Sequence, residues 1–114
     1  MLINGVELED IDVFDADIAE RYENALEKVV EDNKNVDGIK VSIIIRQQCN
    51  AVFKLFNTMF GEGTDKKVFG DKVNIVTCLK AFEELVEQVN IQKQEVEKMA
   101  SKYSPNRAAR RNNK

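Results

Sequence analysis

Residues 75–102, IVTCLKAFEELVEQVNIQKQEVEKMASK, decide the fold. Ile75, Phe82, Val89, Val96 and Tyr103 recur every seven residues, with Leu79, Val86 and Ala100 as a companion row, the spacing of a helix that packs along a seam. At ~1.5 Å per residue a helix over this stretch is ~42 Å long. A compact chain of 114 residues has a radius of gyration near ~13 Å and is only ~34 Å across. The far end of the helix therefore projects, or another subunit covers it. Up to Val89 the apolar stripe reads as core; from Asn90 to Lys98 only Ile91 and Val96 are apolar, too few to drive burial in a lone chain. Val89, Val96, Met99 and Tyr103 are the helix residues expected to meet another molecule.

Working back from that helix, Asn74 is placed to cap it, and Gly61-Glu62-Gly63-Thr64 ends an earlier one, with a short helical turn over 65–69 between. The earlier helix covers Val41–Phe60, with Ser42 as a possible cap. Ile45, Cys49, Val52, Phe53, Phe56, Met59 and Phe60 form its core face, widened by Ile43, Ile44 and Leu55, which predicts the most buried element. Before it, Asn33 to Gly38 has turn chemistry and no apolar period. A first helix is expected from Asp15 to Asn33, with Phe14, Ile18, Tyr22, Ala25, Leu26, Val29 and Val30 on one face and Asp12 or Asp15 as cap. At the N-terminus, Leu2-Ile3 and Val6-Glu7 flank Asn4-Gly5, the pair that suits a type I′ hairpin turn. Such a hairpin must lie on a helix or extend a neighbour's sheet. The expected fold is mainly α: an N-terminal β-hairpin and three main helices, the last long and projecting, in one domain over residues 1–104. Ser104-Pro105 closes the last helix, and the basic segment 105–114, without an apolar anchor, is expected to be disordered.

The net charge of −3 conceals a polarity. Residues 1–37 hold twelve acids against three bases, whereas residues 102–114 hold five bases and no acid. Opposed ends favour head-to-tail contacts between copies and steer charged partners, although both ends being simply solvated remains the alternative. The basic residues Arg107, Arg110, Arg111 and Lys114 are candidates for a partner-binding role, in self-association or on nucleic-acid phosphates. Against nucleic acid, no aromatic residue interleaves with them and the rest of the chain is acidic.

Catalysis is not expected. The chain has no histidine, so it lacks the commonest general base and metal ligand at neutral pH. Cys49 and Cys78 cannot alone make a four-ligand zinc site and read as small buried hydrophobes in a reducing compartment. The acidic run Glu9, Asp10, Asp12, Asp15 and Asp17 lacks the glycine and distal glutamate of a calcium loop, so capping and solvation explain it. No catalytic residue, cofactor or metal is therefore expected. An acidic start without an apolar run argues against a secretory signal, and the longest apolar run, Ile43 to Ile45, is far too short for a bilayer. The expected location is the cytoplasm.

Four segments carry a family resemblance: Phe60-Gly61-Glu62-Gly63-Thr64, Val68-Phe69-Gly70, Cys78-Leu79-Lys80-Ala81-Phe82-Glu83-Glu84-Leu85-Val86 and Lys102-Tyr103-Ser104-Pro105-Asn106-Arg107. Together they resemble the tail assembly chaperones, small proteins encoded in the tail modules of siphophages and of prophages in Gram-positive bacteria. The resemblance implies a helical protein that self-associates into a ring or spiral and coats the apolar tape measure protein before the tail tube forms. It also implies that an extended form made by frameshifting adds a segment that recruits tail tube protein. The projecting helix would then pack between copies, and the basic tail would sit where the extension begins.

Overall fold

A computed structural model describes residues 1–32 and 38–103. The turn expected within 33–38, apart from Gly38, and the whole basic tail from Ser104 onward lie outside the described residues.

The fold is mainly helical and follows the expected order. Strands β1 (Leu2–Ile3) and β2 (Val6–Glu7) pair antiparallel, Leu2 opposite Glu7 and Ile3 opposite Val6. Both turn residues have positive φ, 51° at Asn4 and 74° at Gly5, which is why this turn takes Asn-Gly. Helices α1 (Ala16–Asp32), α2 (Val41–Phe60), α3 (Thr64–Phe69) and α4 (Ile75–Lys102) follow.

Asp15 caps α1, its carboxylate accepting from the N–H groups of Asp17 at 2.9 Å and Ile18 at 3.4 Å. Asp12 accepts from the Phe14 N–H at 3.1 Å, and Asp10 accepts from the Met1 ammonium at 2.8 Å, which raises the pKa of that amine. Three members of the acidic run thus have local partners. Asn74 caps α4 by accepting from Val76 N–H at 2.9 Å and Thr77 N–H at 3.2 Å. Ser42 does not cap α2: Lys40 occupies that position without a side-chain bond, and the first turn, Val41 to Ile43, stands exposed.

The centre of the molecule is α2, against which α1, α3 and α4 all pack. Cys49, Val52, Leu55 and Phe56 are buried along it. Phe69 of α3 meets Phe56 edge-on at 5.5 Å and Phe53 at 5.0 Å, fixing the short helix to the long one. Cys49 and Cys78 are free thiols buried where α2 faces α4. Burial, then the hydrogen bond with Cys49, pushes the Cys78 thiol up to about 12.

Two expectations about which faces turn inward need correction. On α1 the core takes Tyr22, Ala25 and Val29, whereas Phe14 and Val30 are exposed. On α4 the buried residues are Cys78, Ala81, Leu85 and Val89. The companion row of the seam is therefore Cys78, Leu85, Gln92 and Met99, one residue before the predicted Leu79, Val86 and Ala100; Leu79 and Ala100 are exposed. Both choices fit a helical repeat, because seam residues alternate spacings of three and four. Contact with α2 selects the row of Cys78 and Leu85, with the small Ala81 buried beside it.

Candidate interaction surface

The long helix is core in its first half and a bare arm in its second. From Asn90 to Tyr103 every residue is exposed except Gln92 and Ser101, which are partly covered. The arm makes the molecule 58 × 34 × 21 Å with a radius of gyration of 17.6 Å, well above the ~13 Å of a compact chain. Val96 (37% exposed), Met99 (45%) and Tyr103 (72%) lie on this arm as the sequence predicts. The Lys102 ammonium sits 5.5 Å from the Tyr103 ring centroid. Val89 does not belong with them: at 3% exposure it is part of the chain's own core. Arg107, Arg110 and Arg111 lie outside the described residues.

The arm leaves the body at a polar clasp that hydrophobic periodicity cannot reveal. Glu84, Gln88 and Gln92 stand four residues apart on α4, hence one above the other on a single face. All three bond the backbone of the N-terminal segment. Glu84 Oε1 accepts from Asn4 N–H at 3.1 Å, and Gln88 Nε2 donates to the Leu2 carbonyl at 3.3 Å. Gln92 does both, accepting from Val13 N–H at 2.9 Å and donating to the Ile11 carbonyl at 2.7 Å. One amide thus satisfies an N–H and a C=O of a loop flanked by buried Ile11 and Val13. The visible signal is a glutamine on the Cys78, Leu85, Met99 row, where a seam wants an apolar residue.

Beyond the clasp α1 and α4 do not close on one another. Each packs on α2, direct packing between them is slight, and a groove of about 500 Å³ remains. Val13, Tyr22, Leu26 and Val30 form one wall, and Val89 and Val96 the other. Glu23 and Glu27 stand on the α1 side and Lys93 on the α4 side, and none of the three makes an ion pair among the described residues. The Tyr22 hydroxyl is buried with no hydrogen-bond partner among the described residues, and burial raises its pKa. A phenol in that state is a donor awaiting an acceptor. The α1 wall was not foreseen as a surface, since Tyr22, Leu26 and Val30 all read as core.

The sequence profile of a family of unknown function, DUF6673, matches residues 4–114, from the hairpin turn through the arm to the tail. The chain belongs to DUF6673. Apart from the Leu2 carbonyl bonded by Gln88, clasp, groove and arm fall inside the matched region. No curated protein and no solved structure matches the chain.

No group of three or more Cys, Asp or Glu side chains able to hold a metal occurs among the described residues. No helix among them is long and apolar enough to cross a membrane.

Proposed function

We propose that this DUF6673 protein is a phage or prophage tail assembly chaperone, working without catalysis in the bacterial cytoplasm. It self-associates as a ring or spiral, covers the tape measure protein and yields it stepwise to tail tube subunits. The observation that carries the reading is the arm, a helix held by the core at one end and presenting Val96, Met99 and Tyr103 to solvent at the other. A monomer gains nothing from ordering such a segment, whereas an assembly protein gains a contact surface.

The mechanism follows from weak contacts repeated many times. A tape measure protein is long, helical and apolar, and before assembly its exposed surface aggregates. Copies that each bind weakly cover it through avidity, and each is displaced singly when a tube subunit arrives. The acidic α1 and the basic tail give those contacts a salt-dependent part.

Co-expression with the tape measure protein tests this. A soluble complex holding several copies of the chain per client is expected. A client that stays aggregated, together with a mobility shift of generic RNA or DNA by the chain at physiological salt, would move the assignment to a nucleic-acid binder.

A further inference from the structure

We infer that two copies pair by reciprocal docking: the arm of each α4, residues 90–103, lies antiparallel in the α1–α4 groove of the other, about a twofold axis near Val96. This names one contact within the self-association of the proposed function, rests on that reading and requires no client; ring or spiral growth then needs a second, heterologous contact between pairs.

Three observations point to this occupant. First, the groove and the arm are the same helix seen from two sides: Val96 is both a wall of the groove and the apolar residue nearest the middle of the arm. An identical surface on both partners closes only about a twofold axis, which must pass near the middle of the shared element. Second, the lengths agree, since the arm is ~21 Å and α1, which must flank it, is ~26 Å. Third, the charges are complementary. The sequence of α1 has six acids and two bases, whereas the arm has three lysines and two glutamates. Glu23 and Glu27 line the groove that the lysine-bearing arm would enter.

With Val96 on the axis, Tyr103 of one copy comes opposite Val89 of the other. The product is a four-helix layer, two α1 helices outside and two α4 arms inside, with Gln92 clasping each arm to its own chain at the entrance.

The test uses the full chain alone, without client. Sedimentation equilibrium is expected to give a dimer whose dissociation constant rises about 100-fold in Val96→Asp, because two carboxylates are buried beside the axis. Val96→Cys is expected to give a disulfide-linked dimer on mild oxidation, whereas Val76→Cys, exposed at the opposite end of α4, gives none. A wild-type monomer at high concentration overturns the pairing, as when the chain's own tail or only a client helix fills the groove. A dimer insensitive to Val96→Asp and not linked through Val96→Cys overturns it equally, because a different face is then in use. Loss of client binding with the dimer intact would strike the chaperone reading and leave the pairing standing.

Discussion

Replacing Gln92 by alanine removes two hydrogen bonds at once, of 2.9 Å and 2.7 Å, and nothing of the apolar core. Each bond contributes about 1 kcal/mol net, and the Val13 N–H and Ile11 carbonyl left behind sit between side chains that exclude much of the water. Alanine returns a few tenths of a kcal/mol through its higher helix propensity. The expected loss is about 1.5–2 kcal/mol, which in a domain of this size lowers the melting temperature by about 10 °C. Gln94→Ala is the control, two residues along the same helix with an exposed side chain and no bond, and its melting temperature should stay put. Thermal unfolding followed by circular dichroism at 222 nm reads both. Amide exchange adds a local signature, because the Val13 N–H should lose its protection in Gln92→Ala. A melting temperature within ~2 °C of wild type would refute the clasp as the anchor of the N-terminal segment.

Val89→Asp should abolish cooperative urea unfolding or cost more than about 3 kcal/mol, because it buries an unpaired carboxylate, whereas Val96→Asp should stay within about 0.5 kcal/mol in the dilute monomer. Similar midpoints for the two would contradict the boundary between core and arm. Raising the pH should weaken the fold through Cys78: with the folded thiol raised from 9.0 to about 12, its contribution is whole below pH 9 and drains away as pH climbs toward the folded value. Stability should therefore fall between pH 8 and 10, and Cys78→Ala should flatten the urea-midpoint profile there; parallel profiles would exclude it. Asn74→Ala should cost about 1 kcal/mol by freeing the Val76 and Thr77 amides, and an unchanged unfolding midpoint would show that the cap is dispensable.

What the sequence makes legible here is whatever depends on near neighbours. The Asn4-Gly5 turn, the Asp15 and Asn74 caps and the limits of α2 and α4 need only a few adjacent residues, and each lies within a residue or so of its expected place. The projecting arm follows from length and composition alone. Whether Cys78 and Leu85 or Leu79 and Val86 turn inward is decided by the partner helix, because both rows keep a seven-residue repeat. The same holds for Phe14 and Val30, which stay outside while Tyr22, Ala25 and Val29 turn to the core. Of the α4 residues expected to meet another molecule, Val96, Met99 and Tyr103 stand exposed on the arm, whereas Val89 is buried. Their counterpart on α1 was not foreseen, since an unfilled groove and a filled one require the same apolar stripe.

The row Glu84, Gln88 and Gln92 holds backbone that lies about eighty positions earlier in the chain. A ribosome therefore delivers the hairpin, its loop and α1 well before the helix that fastens them, and until then those backbone groups have only water to bond. Closing so large a loop is slow compared with forming any one helix. The groove between α1 and α4 forms only after α4 is made, so in the pairing proposed above copies become competent to meet only once synthesis has passed Gln92.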